Sequence, residues 1–235
     1  KIAELTIVDE NYAEYINLVE KNVGTLTYVR TFETTNWQTI YLPFEVPVEA
    51  LKAAGLEAAC IYNASYKGDV ATIYHVDMTE GSLAANYPYM IRALEAGEKS
   101  VVVENATLTV TNGEYDAIDC SSVYEKFTFT GTYNAVAAED LVSDNKVKHF
   151  VLVDGEYSEL EEIGAFRFYL TIEKRSGEFP AESHDIRMRS VDGSATGVEG
   201  IYSNEGSDVI FDLQGRRVLQ PQKGGVYIIN GKKVV

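Results

Sequence analysis

The sequence predicts a mainly β chain, arranged as a large antiparallel β-sandwich or barrel-like domain followed by a small C-terminal β-hairpin module. The 235 residues include 16 Tyr and 9 Phe, alongside many Val, Ile and Thr. Such residues favour pleated, half-buried strands. Hydrophobic residues make up 46% of the chain and charged residues 24%, which is typical of a folded protein rather than a disordered one. We therefore expect order nearly throughout the chain.

Short strand-like runs recur along the first 190 residues and are joined by short connections. They lie at 25–32, 37–44, 57–66, 70–77, 87–93, 100–111, 124–133, 147–153, 165–173 and 185–190. About ten strands at this spacing predict a sandwich or an antiparallel barrel.

Two dipeptides between strand-like runs predict tight turns. Asp154-Gly155 supplies two residues that tolerate positive φ, so 147–160 is predicted to be a hairpin. Asn112-Gly113 gives a similar but weaker signal after the run at 100–111.

Helix is predicted to be scarce. The best candidate is 47–54, where Pro47 begins the first turn, Leu51 continues the apolar side and Gly55 ends the helix. Residues 11–21 also place apolar side chains at helical spacing, but the same residues suit an extended edge strand.

The distribution of charge predicts two domains. The formal net charge is -16, and residues 198–235 carry five cations against four anions, so the acidity belongs to the rest of the chain. Small and turn-forming residues at 189–197 predict a linker. We therefore predict a large β-rich domain at 1–190 and a small β-module at 198–235.

The same composition narrows the partners. An acidic chain repels polyphosphate and anionic lipid, which argues against nucleic acid and membrane-surface binding and leaves calcium or a basic partner open. No apolar run approaches the roughly 20 residues that span a bilayer, so no membrane span is expected. The chain begins at Lys1 without a methionine, which suggests a processed or truncated product.

The two cysteines, Cys60 and Cys120, both lie in strand-like sequence. A disulfide would close a loop of about 60 residues and stabilise the fold by roughly 4 kcal/mol. The favoured interpretation is two thiols that act as small hydrophobes, because nothing in their spacing forces them together.

The C-terminal segment contains four short apolar runs separated by turn signals. Asn230-Gly231 between 226–229 and 232–235 is a strong hairpin signal, and Gln214-Gly215 between 209–213 and 216–219 predicts a second tight turn. The stretches 211–218 and 225–235 resemble the C-terminal sorting domain of the type IX secretion pathway. That resemblance implies export or attachment through the secretion machinery, although this chain ends at Val235 rather than at the family's usual terminal lysine.

The large domain carries a second resemblance. The stretches 24–32, 36–44, 86–93 and 166–170 resemble an uncharacterised β-domain of secreted surface proteins from gut anaerobic bacteria. The resemblance implies an extracellular or outer-surface location and supplies no biochemical mechanism.

Residues that carry chemistry form no recognisable motif. The three histidines, His75, His149 and His184, are far apart and lack metal-ligand spacing, and no serine-hydrolase, phosphate-loop or dinucleotide motif occurs. The carboxylates Glu156, Glu159, Glu161 and Glu162 are typical of a solvated face. We therefore expect no catalytic residues, no metal and no cofactor, and the sequence leaves the ligand-binding residues unknown.

Trp37, the only tryptophan, is the best candidate for a carbohydrate platform, with Tyr41, Tyr87 or Tyr89 beside it. The favoured interpretation is a core or sheet-surface residue, with Trp37 and Tyr41 on one strand face and Ile40, Leu42 and Phe44 mostly on the other.

The expected function is a non-enzymatic structural or ligand-binding domain at the cell surface, with a glycan or protein ligand. A carbohydrate-binding accessory module is the first alternative. A glycan hydrolase that uses two of the many carboxylates is the second.

Overall fold

The computed structural model describes residues 2–9, 20–67, 70–109, 118–120, 124–159, 162–179, 185–190, 210–212, 227–229 and 232–234. Within these residues the chain is mainly β with several sheets, so the predicted sandwich-like class is confirmed. Three sheets, called A, B and C below, contain most of the described strands.

Sheet A has β2 at its centre. Its strands are β1 (Ile2–Val8), β2 (Lys21–Phe32), β9 (Gly97–Glu104) and β10 (Thr107–Leu108). The strands β9 and β10 pair antiparallel with β2, whereas β1 pairs parallel to it in the register Ile7–Tyr28. The sequence did not predict β1, and this parallel pair departs from the purely antiparallel sheet that we expected.

Sheet B has five strands. Its strands are β3 (Gln38–Ile40), β5 (Leu56–Lys67), β6 (Val70–Met78), β8 (Tyr89–Ala93) and β16 (Asp185–Ser190). The order is β16-β6-β5-β8-β3, and every pair is antiparallel except β16 with β6.

Sheet C is antiparallel throughout, in the order β11-β12-β15-β13-β14. Its strands are β11 (Ile118–Asp119), β12 (Glu125–Thr132), β13 (Val147–Val153), β14 (Glu156–Glu159) and β15 (Arg167–Lys174). Asp154 and Gly155 both have positive φ, and Val153 pairs with Glu156, so the predicted hairpin is confirmed.

Smaller elements complete the fold. The strands β4 (Val46–Pro47) and β7 (Ser82–Leu83) pair antiparallel, and a 3₁₀ turn covers Ala138–Asp140. Helix α1 (Val48–Ala53) follows Pro47, which caps the helix instead of beginning its first turn. Val48 and Leu51 are buried, and Gly55 ends the helix at φ 72°, as the sequence predicted.

Three short strands are described near the C-terminus, namely β17 (Ile210–Asp212), β18 (Tyr227–Ile229) and β19 (Lys232–Val234). They form an antiparallel sheet in that order, with Ile229 paired to Lys232, so the predicted pairing across Asn230-Gly231 is confirmed. The second predicted turn, Gln214-Gly215, and the linker beyond Ser190 lie outside the described residues. The turn at Asn112-Gly113 and residues 11–19 of the possible helix at 11–21 lie outside them as well, whereas Lys21 is the first residue of strand β2.

Sheet B is the middle layer of the domain, because its two faces pack into different cores. Ala58 and Cys60 of β5 join the core beneath sheet A, where Leu26 and Tyr28 of β2 are also buried. The alternate residues of β5, Ala59 and Ile61, join the core beneath sheet C. This second core is largely aromatic and includes Phe127, Phe129, Phe150 and Phe168.

Two predicted strands are shorter than expected. Only Gln38–Ile40 of the run at 37–44 is strand, because Tyr41 donates its backbone N–H to the Phe166 carbonyl at 2.9 Å and leaves the sheet B ladder. Tyr41, Leu42 and Phe44 are buried beyond the end of β3, so the predicted alternation of strand faces does not extend to them. The run at 100–111 is split at Asn105, which has positive φ.

Tyr157 of β14 supplies a stability prediction. Its hydroxyl is buried and makes no hydrogen bond within the described part of the chain, and burial raises its pKa. An unsatisfied buried hydroxyl costs stability, so Tyr157→Phe is expected to leave the free energy of unfolding unchanged or raise it by about 1 kcal/mol. Urea unfolding measures this, and a loss of more than about 1 kcal/mol would show that the hydroxyl has a partner. Tyr169→Phe, which alters a half-buried tyrosine of the same sheet, is the comparison.

Candidate functional site

A pocket of about 380 Å³ lies where sheets A, B and C approach one another. We call it the arginine pocket, because Arg30 of β2 and Arg167 of β15 lie at its floor. Three polar side chains line it together with the last residues of β13, namely Thr34 of the β2–β3 loop and Gln38 and Thr39 of β3. The β13 residues are Val151, Leu152 and Val153, and the other lining residues are Glu33, Asp154, Glu162, Ile163 and Gly164.

The floor is held by an ion pair between the N-terminal and C-terminal parts of the domain. Arg167 donates from Nη1 to Asp9 Oδ1 at 2.8 Å and from Nη2 to Asp9 Oδ2 at 2.5 Å, a bidentate geometry. Tyr28 donates its hydroxyl to Asp9 Oδ1 at 2.5 Å. Asp9 directly follows β1, so this contact joins sheet A to sheet C.

Arg30 is the second cation of the floor and is only 2% exposed. It donates from Nη1 to the Thr39 carbonyl at 3.0 Å and from Nη2 to Gln38 Oε1. Its Nε lies 3.7 Å from Asp9 Oδ2, beyond hydrogen-bonding distance. A single carboxylate therefore faces two buried or half-buried guanidinium groups.

The pKa shifts follow from this arrangement. Burial favours a raised pKa for Asp9, but the hydrogen bonds and charge of Arg167, with the charge of Arg30, outweigh burial and lower it. Burial, followed by the charge of Arg167, lowers the pKa of Arg30 to about 10. Burial and the Asp9 charge raise the pKa of Tyr28. At neutral pH the floor therefore holds one carboxylate and two cations.

A strained residue positions Arg167. Phe166 has φ 55°, a conformation that bulky side chains rarely adopt and that costs about 1–3 kcal/mol. Its fully buried ring packs edge-on against Tyr28, with the ring centroids 5.8 Å apart. Packing therefore holds the strained backbone, and Arg167 Nη1 folds back onto the Ala165 carbonyl at 2.8 Å.

The mouth of the pocket is acidic. Glu33, Asp154 and Glu162 are exposed lining residues. Asn36 donates from Nδ2 to the Asp154 carbonyl at 3.1 Å and to Asp154 Oδ1 at 3.0 Å, which fixes the tip of the β13–β14 hairpin. Hydrogen bonds from Asn36 and Thr34 lower the pKa of Asp154.

Trp37 lies outside the arginine pocket and is half-buried at the edge of sheet B. The Arg92 guanidinium carbon is 4.6 Å from the centre of the Trp37 ring, and Arg92 also pairs with Glu57 at 2.6 Å. The His75 ring meets the indole edge-on, with centroids 5.4 Å apart. The favoured interpretation of Trp37, as a residue of the core or sheet surface, agrees with these contacts.

The tyrosines proposed to assist Trp37 do not assemble around it. Tyr41 and Tyr89 are 0% and 1% exposed, so neither offers a surface to a sugar ring. Tyr87 precedes β8, whereas Trp37 lies beyond the Gln38–Ile91 pair at the other end of that strand. The Tyr87 ring packs against the buried Tyr89, with the ring centroids 5.3 Å apart. A flat aromatic row is therefore not formed by these four residues.

Comparisons with protein-family models, curated proteins and solved structures gave no match for this chain. Both resemblances noted in the sequence therefore stay predictions, and the site has to be interpreted from its own geometry.

The two described histidines lie in different sheets, His75 in β6 of sheet B and His149 in β13 of sheet C. His149 Nδ1 lies 3.0 Å from the Thr171 hydroxyl, His75 lies beside Trp37, and His184 is outside the described residues. In the described ranges, no three His, Cys, Asp or Glu side chains cluster as metal ligands. Glu159 pairs with Lys148 at 2.9 Å, whereas Glu156 and Glu162 are exposed and Glu161 is not described.

His75 allows a pH prediction. Burial, with a smaller contribution from the Arg92 charge, lowers its pKa below the ordinary value of 6.5, against the opposing charge of Asp77. The unfolded chain therefore binds a proton more readily than the folded chain, and stability should fall as the pH drops below 6.5. Because protonated histidine quenches a neighbouring indole, Trp37 fluorescence should decrease with a midpoint below 6.5, and His75→Gln should abolish that transition. A midpoint at or above 6.5 would contradict the burial of His75.

The favoured interpretation of Cys60 and Cys120, as thiols that act as small hydrophobes, agrees with their places in the structure. Cys60 is buried in the core beneath sheet A, and Cys120 packs beside the core beneath sheet C. No helix in the described ranges is long and apolar enough to span a membrane.

Sequence reasoning missed the arginine pocket completely. Asp9 and Arg167 are 158 positions apart, and no spacing rule connects them. The available signal was an arginine in each of two strands that also carry large buried aromatic residues, Phe32 in β2 and Phe168 in β15, since arginine is almost never buried without a partner.

Proposed function

We propose that this chain is a non-enzymatic extracellular β-domain that binds a ligand at the cell surface, and that residues 198–235 serve export or attachment. One observation carries the binding function, namely the arginine pocket with its charged floor held in place by hydrogen bonds and ion pairs. A site whose groups are already oriented binds without the entropic cost of ordering them. Its volume lies within the range of small-molecule sites.

The groups at the pocket suit binding better than chemistry. Asp9 and Asp154 have lowered pKa values, and a carboxyl group that stays ionised is a poor general acid. Asp9 is also committed to two arginines and a tyrosine, which leaves it no role as a nucleophile or base. The proposal of a hydrolase receives no support from these residues.

The proposed location depends on the C-terminal sequence. The stretches 211–218 and 225–235 resemble a type IX sorting domain, and the paired strands β17, β18 and β19 are compatible with a small β-module. Export would be tested by expressing the full chain, and a chain ending at residue 197, behind a signal peptide in a bacterium that has this pathway. Retention of only the shortened chain in the periplasm supports the proposal, and equal surface display of both chains contradicts it.

The binding function is tested with the purified full chain on a glycan array, followed by isothermal titration calorimetry of each hit. Saturable binding without any product, as judged by mass spectrometry of the recovered glycan, is the expected result. Turnover of a glycan, peptide or ester at a meaningful rate would refute the non-enzymatic assignment. Absence of binding to glycans and to other small polar ligands would refute the ligand-binding role of the pocket.

A further inference from the structure

We infer that the arginine pocket selects a small hydroxylated monocarboxylate of the sugar-acid type, with the carboxylate on the arginine floor and the hydroxyl groups at the acidic mouth. This inference rests on the proposed ligand-binding function and specifies its ligand class. Charge, hydrogen-bonding capacity and the layout of the lining each contribute to it.

The floor of the pocket carries an excess positive charge that one more anion would neutralise. Arg30 and Arg167 carry two positive charges against the single negative charge of Asp9, so the floor keeps one unit of excess positive charge at neutral pH. Arg30 is 2% exposed, and an excess charge that is shielded from water interacts strongly with an opposite charge. A single carboxylate would make the floor neutral.

The floor also keeps donors for that carboxylate. A guanidinium group has five N–H donors. The hydrogen bonds of Arg30 to Thr39 and Gln38 use one hydrogen on Nη1 and one on Nη2, and Tyr28 is a further hydrogen-bond partner of this group. Both Arg30 and Arg167 line the pocket. The planar guanidinium groups match the geometry of a carboxylate, as the Arg167–Asp9 pair within the same floor illustrates.

The carboxylates at the mouth of the pocket limit how much negative charge a bound ligand can carry. Glu33, Asp154 and Glu162 are three exposed carboxylates that would repel a phosphate dianion or a polyanion. They accept hydrogen bonds, and the Thr34 hydroxyl beside them, which already donates to Asp154, can still accept one. A ligand that is anionic at one end and rich in hydroxyl groups at the other therefore fits both regions.

Gln38→Glu is the decisive variant, because it removes the excess charge of the floor while conserving side-chain shape. Gln38 Oε1 already accepts a hydrogen bond from Arg30 Nη2, and a glutamate at this position keeps that bond and strengthens it. The variant is therefore expected to fold with unchanged or increased thermal stability. Its added negative charge should weaken carboxylate binding by at least about tenfold.

The experiment is calorimetric titration of the full chain with glucuronate, glucose and inorganic phosphate. Glucuronate should bind with the highest affinity, and Gln38→Glu should reduce that affinity by about tenfold or more. Glu162→Gln, which removes one carboxylate at the mouth, should raise it a few-fold, and Glu95→Gln, an exposed residue outside the pocket lining, should not change it.

Equal affinity for glucose and glucuronate, tighter binding of phosphate, or unchanged glucuronate binding in Gln38→Glu would overturn this inference. Each of those results is distinct from failure of the proposed function, which would appear as no binding of any ligand. A ligand from the glycan array that binds the wild-type chain and is insensitive to Gln38→Glu would keep the binding function and place its site elsewhere.

Discussion

Asp9→Asn is expected to destabilise the domain by about 3–5 kcal/mol, the largest effect that we predict for a single side chain. The substitution keeps the shape of the carboxylate but leaves the Arg30 and Arg167 charges facing each other without an anion. Removing one partner of a buried ion pair has a cost of this size because the remaining charge stays desolvated. Equilibrium unfolding in urea measures the loss.

Two further variants test whether the loss of stability comes from the ion pair or from any change of charge. Asp140→Asn alters an exposed carboxylate and should change stability by less than about 0.5 kcal/mol. The double variant Asp9→Asn with Arg167→Met should lose less stability than the two single variants added together, because it removes one unpaired charge. Near-native stability of Asp9→Asn would show that the Arg30 and Arg167 charges are solvated and do not depend on Asp9.

Gly131→Ala is expected to destabilise the domain by about 3 kcal/mol or more, at the upper end of the usual cost of overpacking. A Cβ atom at this position of β12 would lie 2.2 Å from two carbons of the Tyr41 ring. Tyr41 is 0% exposed, and its ring packs against Tyr133 with centroids 5.1 Å apart. The ring therefore has no space to move into, and either β12 or the core beneath sheet A must shift.

Gly164→Ala is the matched control for this substitution. Its added Cβ meets no atom within 4 Å, and its backbone does not require positive φ. Its free energy of unfolding should lie within about 0.5 kcal/mol of the wild-type value or slightly above it, because alanine restricts the unfolded state. If both variants have the wild-type free energy of unfolding, β12 does not approach the Tyr41 ring as closely as described.

Local chemistry explains why several elements could be predicted. Asp154-Gly155 forms a tight turn because both residues tolerate positive φ, and Gly55 ends helix α1 for the same reason. Such elements depend on residues that are close in sequence. The parallel pairing of β1 with β2 does not, since a segment of a dozen residues separates the strands and no turn residue specifies their register.

The sequence could not predict the three-sheet arrangement for a second reason. In β5 the residues from Ala58 to Tyr62 are all buried, because sheet B packs against a core on each face. A strand covered on both sides loses the alternation of apolar and polar residues that identifies which face points inward. The sequence therefore predicted a strand at 57–66 but not that this strand belongs to a middle layer.

By itself, the sequence determined the mainly β class, the positions of most strands, the hairpin at Asp154-Gly155 and the end of helix α1, because each depends on short-range patterns of polarity and backbone preference. Only the tertiary structure decided the arginine pocket. Asp9, Arg30 and Arg167 come from three separate strands or strand ends, and their excess positive charge exists only where the sheets bring them together. In an acidic chain of net charge -16, composition predicted repulsion of polyphosphate and anionic lipid, whereas the fold places a local excess of positive charge at the pocket floor.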